Sequence, residues 1–215
     1  AAARTIAESG IPLVGLVNNA GIAAAAPLEF IAVDDFRHQL EVNVVGQLAV
    51  TQSVLPLLRA SKGRIVNITS IGGLISGPML GPYHASKFAL EAMTDAVRIE
   101  LAAWGIGVAA IEPGQIATPI WATASAKADT MIDGMPPEAM ELYAKGIAGA
   151  RASAKRAAAE GLPPDRVADA IIHALTAARP KTRYLVGSDA KLIGRVVRHL
   201  PDRLRDRMMV RRRSH

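Results

Sequence analysis

Apolar and polar positions divide the chain into short buried strands and longer amphipathic helices. Four runs are apolar on both faces and bounded by glycine, proline or polar turns: Leu13-Val14-Gly15-Leu16-Val17, Arg64 to Thr69, Gly107 to Ile111, and Tyr184-Leu185-Val186. Runs of this length without alternation predict strands covered on both sides, as in a parallel sheet. Between them apolar residues recur at helical spacing. Ala1 to Ser9 predicts the end of a helix stopped by Gly10 and Pro12. Phe36, Leu40, Val44, Leu48, Thr51, Leu55 and Leu58 predict one long helix with Asp34 as its N-cap. Another is predicted from Tyr83 to about Trp104, ended by Gly105, and a third from Pro163-Pro164-Asp165 to Ala178. Strands alternating with helices predict an α/β domain built on a parallel sheet.

Composition narrows this picture. The 215 residues suit one sizeable core, and a chain 50% apolar but only 4% aromatic suits close packing of helices on a sheet. With no cysteine, disulfides and thiolate metal sites are excluded, and the histidines (His38, His84, His173, His199) lack metal-ligand spacing. No metal is expected. No apolar run reaches the roughly 18 residues of a transmembrane helix, so a cytoplasmic protein is expected. The net charge of +6 is confined to one end, because the segment from Arg195 to His215 holds eight arginines against Asp202 and Asp206. The rest of the chain is neutral overall. A nucleic-acid-binding domain spreads its basic residues over a groove or helix face, so no nucleic-acid partner is expected.

The candidate chemistry lies between Gly63 and Lys87. The strand from Arg64 delivers Ser70 to its carboxyl end, the edge of a parallel sheet where ligands bind. Tyr83 and Lys87 follow four residues apart on a helix, which stacks phenol and ammonium on one face. A tyrosine in water titrates near pH 10, and an adjacent cation is expected to favour its phenolate. Such a pair can exchange a proton with an alcohol or carbonyl while Ser70 holds the oxygen. Taken alone, Tyr-x-x-x-Lys is also an ordinary surface pair.

Ser70 lies 13 positions before Tyr83, and the string resembles the short-chain dehydrogenase/reductase family, whose site is a serine after a strand followed by Tyr-x-x-x-Lys. Asn18-Asn19-Ala20-Gly21 resembles its NNAG motif, Asn43 its helical asparagine, and Pro113-Gly114 with Thr118 its PG-x-x-x-T cofactor loop. The resemblance implies an NAD- or NADP-dependent oxidoreductase acting on a secondary alcohol or ketone. It also implies a Rossmann-like sheet flanked by helices and a homodimer or homotetramer joined through the helices of Asn43 and Tyr83. In it Asn43, Ser70, Tyr83 and Lys87 are catalytic, with Asn43 holding a water that leads to Lys87. Asn18, Ala20, Gly21, Tyr83, Lys87, Pro113, Gly114, Ile116 and Thr118 contact the cofactor. Asn43 is equally well placed as a satisfied core amide.

The family's glycine-rich turn, T-G-x-x-x-G-x-G, does not occur in the chain. The expectation is therefore a partial domain over residues 1–215 that lacks the first βαβαβ part, about 60 to 80 residues, and that is inactive by itself. In that case Leu13 to Val17 forms an exposed sheet edge. A cofactor-free binding or structural module is the alternative. Residues 120–161, with Met131, Met135 and Met140 among alanines, are expected to form a substrate lid, though core packing also explains methionines. Residues 190–215 form a basic amphipathic extension: Leu192, Ile193, Val196, Val197 and Leu200 lie on one stripe beside arginines. That stripe either packs on the domain or meets an anionic membrane. The string from Arg183 to Lys191 resembles the retinol and 17β-hydroxysteroid dehydrogenase branch, which implies a lipidic substrate.

Overall fold

The fold is that of a computed structural model, which describes residues 2–211. Arg212, Arg213, Ser214 and His215, the end of the expected basic extension, lie outside the described residues. After helix α1 (Ala2–Glu8), strands β1 (Gly15–Asn18), β2 (Arg64–Ile68), β3 (Gly107–Pro113) and β4 (Arg183–Val186) form one parallel sheet in the order of the chain. The strands fall where the apolar runs place them, and the two central ones, β2 and β3, are buried on both faces. On one face Ile65 and Val108 pack with Val54 and Leu58 of α3 (Gly46–Ser61) and Val97 and Leu101 of α4 (Gly81–Leu101). On the other, Val66, Ile68, Ala109 and Ile111 pack with Val167, Ile171, Ala174 and Leu175 of α7 (Asp165–Thr176). Each fully buried Val, Leu or Ile among them contributes about 1.5–3 kcal/mol.

Two expectations change. The single helix from Asp34 to Leu58 is a composite of α2 (Val33–Leu40), a π-helical segment (Glu41–Val45) and α3. Ala32, not Asp34, is its N-cap, and Asp34 lies inside the first turn with its carboxylate accepting from Arg37 at 2.8 Å. The wider turn falls at Asn43, whose bonds to other elements fix its place. The helix of Tyr83 begins two residues earlier, at Gly81, with Pro82 in its first turn where a missing N–H costs nothing.

Over the described part, residues 190–211 pack one side of their apolar stripe on the domain. They form α8 (Ser188–Arg195), a short 3-10 turn (Val197–His199) and α9 (Asp202–Arg211). Ile193 and Val197 are buried against Ile75, with Leu200, Met208 and Met209 beside them. Leu192, Val196 and Leu204 face outward.

Residues 120–161 form a helical hairpin, α5 (Ile120–Asp133) and α6 (Pro137–Glu160). The hairpin is held to the segment after β1 by a hydrogen bond from the Tyr143 hydroxyl to Glu29 at 2.6 Å. Phe30 packs edge-on against the Tyr143 ring at 5.8 Å. Within the described sheet β1 is an edge strand, paired only with β2, and Ile11 and Val14 beside it are exposed.

Candidate active site

The carboxyl ends of β2 and β3 and the start of α4 converge on one point. Ser70 follows β2 directly, caps a 3-10 turn over Ile71–Gly73, and its Oγ accepts from the Gly72 amide at 3.0 Å. His84 Nδ1 meets the Gly72 carbonyl at 2.9 Å, fastening that turn to α4. Tyr83 thereby lines the same cavities as Ser70, whose hydroxyl acts on the phenol. Lys87, one helical turn on, lies with Nζ 5.8 Å from the centre of the Tyr83 ring and donates to the Ile68 carbonyl at 2.8 Å.

The electrostatics differ from the sequence expectation. Burial raises the Tyr83 pKa, and the hydrogen bond with Ser70 opposes it without reversing the direction. The phenol is therefore protonated at neutral pH. Lys87 moves the other way, from 10.5 down to about 8, because burial disfavours its charge more than Glu91 restores it. The helix repeats every four residues through Tyr83, Lys87, Glu91 and Asp95. Arg183 of β4 donates to Glu91, to Glu112 of β3 at 2.6 Å and to Asp95 at 2.7 Å. A single guanidinium thus serves three carboxylates beneath the site.

Two cavities meet at Ser70 and Tyr83. A cleft of about 580 Å³ is lined by Asn19, Gly21, Ser70, Tyr83, Lys87 and the loop carrying Pro113, Gly114, Ile116 and Thr118. An apolar pocket of about 220 Å³ lies between Tyr83 and the α5–α6 hairpin, walled by Ala23, Ile71, Met79, Ile132 and Ile147 among others. Ser70, Tyr83, Gly114 and Trp121 line both.

Not every expected residue reaches the cleft. Asn18 is buried behind it, donating to Thr51 and Asn67 at 2.9 Å each. Ala20 contributes its carbonyl, which accepts from Gln47 at 3.0 Å. Asn43 is fully buried; its amide spans Ile22 N at 2.9 Å, Ile22 O at 3.0 Å and Ser86 Oγ at 2.9 Å. Ser86 in turn donates to the Tyr83 carbonyl at 2.7 Å. Asn43 therefore joins the loop after β1 to the turn of α4 that bears Tyr83.

Asn19, Ser86 and Trp121 were not singled out from sequence. Asn19 and Ser86 lie inside quoted motifs, where the side-chain direction is not legible. Trp121 bonds the Ile116 carbonyl at 2.6 Å and had no signal beyond its proximity to the Pro113 loop. Among the described residues no group of His, Cys, Asp and Glu is placed to hold a metal ion.

The donors present in the cleft fit a dinucleotide's polar groups. Lys87 is buried, and Ile68 takes one of its three N–H donors, leaving two for a diol in the cleft. Gly21 lines the same cleft beside Asn43 and Lys87, and a Cβ there would stand in ordinary contact with both.

Comparisons with known proteins agree. The sequence matches the family described as short chain dehydrogenase over residues 1–129. It is 42% identical over 185 residues to 3-amino-tetrahydro-pyrrolizinone reductase of Xenorhabdus hominickii, covering 86% of this chain and 65% of that protein. It is 38% identical over 201 residues to retinol dehydrogenase 7 of Mus musculus, covering 92% of this chain and 63% of that protein. The chain thus spans a little under two thirds of the length of these relatives. In fold it is similar to a short chain dehydrogenase from Burkholderia cenocepacia J2315 solved with NADP, with a TM-score of 0.70 at 23% identity over 97% of this chain and 74% of that one. With the Ser70, Tyr83 and Lys87 geometry and a family match over more than half its length, the chain belongs to the short-chain dehydrogenase family.

Proposed function

We propose that the full-length protein is an NAD(P)-dependent oxidoreductase interconverting a secondary alcohol and a ketone. The observation that carries this reading is the position of Ser70 and Tyr83 where the cleft that also holds Lys87 meets an apolar pocket. Bound nicotinamide supplies or accepts the hydride. This chain's residues handle the oxygen and its proton. In reduction, Ser70 Oγ and Tyr83 Oη donate to the carbonyl oxygen, Tyr83 gives up its proton as the alcohol forms, and the Lys87 cation stabilises the phenolate left behind. Oxidation is the reverse. Because burial keeps Tyr83 protonated, the unliganded site is set for reduction. Asn43 links the Tyr83 turn to the loop after β1, where a water leading to Lys87 completes a route for reprotonation.

The pocket walls support an apolar substrate, with the α5–α6 hairpin as its lid and a retinoid- or steroid-like ketone as the finer reading. The glycine-rich turn that holds a pyrophosphate is not within these residues, so no turnover is expected from residues 1–215 alone. Titrating NADH and NADPH while following cofactor fluorescence, on this chain and on the full-length protein, tests the reading. Binding by the full-length protein supports it; no binding by either leaves a cofactor-free module.

Two interaction surfaces belong to the same proposal. Val45, Leu48 and Phe88 are exposed on the helices of Asn43 and Tyr83 and supply the contact for a homodimer or homotetramer. A monomer in sedimentation of the full-length protein at micromolar concentration would contradict this. Leu192, Val196 and Leu204, exposed among Arg195, Arg198 and Arg203, form a basic apolar face suited to an anionic membrane. No described helix is long and apolar enough to cross one. Salt-sensitive binding to phosphatidylserine vesicles is expected, and aspartates at Leu192, Val196 and Leu204 should abolish it while leaving buried Ile193 and Val197 in place. Binding that survives all three substitutions would remove the membrane reading.

A further inference from the structure

The string Ser188-Asp189-Ala190-Lys191 follows β4 and has no role in the chemistry above. Its aspartate nonetheless bonds the loop that lines the cleft. Asp189 lies in the first turn of α8, where a carboxylate is favoured by the helix dipole, at the carboxyl edge of the sheet. Its Oδ2 accepts from the Gln115 amide at 2.8 Å, and its Oδ1 from the Ala190 amide at 2.8 Å. The backbone is fitted to this carboxylate on two sides. A Cβ added at Gly114 or at Gly187 would land on it. Gly187 also has φ 115° and ψ 157°, a conformation that side chains essentially exclude.

The other bonds of the loop after β3 explain what Asp189 adds. Gly114 N donates to Val186 O at 2.9 Å, Leu162 N to Gln115 O at 2.9 Å, and Ala117 N to Leu162 O at 2.9 Å. Trp121, from the helix that continues the loop, bonds Ile116 O. Asp189 is the side chain that ties this loop to the β4–α8 junction, and its bond is charge-assisted, hence stronger than the neutral backbone bonds around it.

We propose that Asp189 is a positioning residue for dinucleotide binding: it fixes the loop from Gly114 to Thr118 so that Gly114, Ile116 and Thr118 present one preformed wall to the nicotinamide end. The inference rests on the oxidoreductase reading. Without that tie the loop must be ordered by the ligand at each binding event, which weakens affinity more than it slows the chemical step.

The test compares Asp189→Ala and Asp189→Asn with the unaltered full-length protein, using dinucleotide KM, kcat, the urea midpoint and amide hydrogen exchange at Gln115. Asp189→Ala is expected to raise dinucleotide KM by about tenfold, the scale of one charge-assisted bond, with kcat little changed. Gln115 exchange should accelerate by a similar factor. Asp189→Asn keeps an acceptor oxygen and should recover most of both effects. Unchanged dinucleotide KM in Asp189→Ala, or a drop in urea midpoint with KM and Gln115 exchange unaltered, would overturn the positioning role. Failure of the unaltered protein to bind dinucleotide would overturn the oxidoreductase reading instead, and Gln115 exchange would then decide separately whether Asp189 holds the loop.

Discussion

Tyr83→Phe in the full-length protein should reduce turnover of a ketone substrate by at least about a hundredfold, the usual scale of general acid–base catalysis. The substitution removes only the hydroxyl. The ring keeps its edge-on packing with His84 at 5.9 Å, and α4 keeps its tie through Ser86 to the Tyr83 carbonyl, so the fold is retained. Lys87 remains bonded to Ile68, so dinucleotide affinity should change little. A loss in turnover without a loss in cofactor binding is the signature of a group acting on the reacting oxygen. The pH dependence has a definite sign. Reduction needs a protonated Tyr83 and a charged Lys87, and burial lowers Lys87 to about 8. The rate of reduction should therefore be level on the acid side and fall as pH rises through about 8, before Tyr83 itself titrates. Near-normal turnover in Tyr83→Phe would exclude the assignment.

Arg183→Met should destabilise the domain by about 3 kcal/mol at pH 7, the low end of the range for stripping one partner from a buried ionic group. The low end applies because the guanidinium is 31% exposed, whereas the side chains it serves are not: Glu91 is 8% and Glu112 2% exposed. The loss leaves two buried carboxylates facing each other. Burial and the neighbouring Glu91 already raise the Glu112 pKa, with Arg183 opposing them. A carboxyl whose folded-state pKa lies above its unfolded value binds more protons when folded, so its contribution is present in acid and lost as pH rises through the folded pKa. Without Arg183 that pKa climbs further. Urea denaturation should accordingly find the defect of Arg183→Met smaller at pH 5 than at pH 7, and Glu91→Gln in the same chain should restore part of it. A defect independent of pH would mean that lost packing of the arginine stem, not stranded charge, is responsible.

Much of the fold could be read in the sequence because its strands are apolar on both faces. Runs such as Arg64 to Thr69 and Gly107 to Ile111 permit little except a sheet covered by helices on each side, and Gly105 and Pro12 punctuate the neighbouring elements clearly. What escaped was set by contacts between distant segments. The π-helical turn at Asn43 depends on Ile22 and Ser86, residues 21 and 43 positions away, and no periodicity within the helix announces it. The apolar stripe after Lys191 is divided between a buried half and an exposed half because Ile75, from the loop after Ser70, meets only one side of it.

The site was legible in part for the same reason. Ser70, Tyr83 and Lys87 lie close in sequence on one strand–turn–helix unit, so their convergence is local. Asn18 and Asn19 are adjacent in the motif, yet one turns inward to Thr51 and the other lines the cleft, a choice made by the sheet and α3. The expected lowering of the Tyr83 pKa came from considering charge alone. In the folded protein burial opposes ionisation of the phenol and lowers the Lys87 pKa as well. Asp189 is separated from Gln115 by 74 positions, and only the parallel pairing of β3 with β4 brings them together.

In the proposed reaction Ser70 and Tyr83 hold the carbonyl oxygen and Tyr83 protonates it, while the hydride comes from the cofactor to the carbonyl carbon. This assignment is tested most directly by supplying the full-length protein with dinucleotide cofactor deuterated at the transferring position of the nicotinamide, together with an apolar ketone, and analysing the product by mass spectrometry. The expected result is an alcohol carrying one deuterium on the carbinol carbon, formed by the unaltered protein and nearly absent with Tyr83→Phe. Dinucleotide binding without labelled alcohol across a panel of such ketones, or equal labelling by Tyr83→Phe, would contradict it.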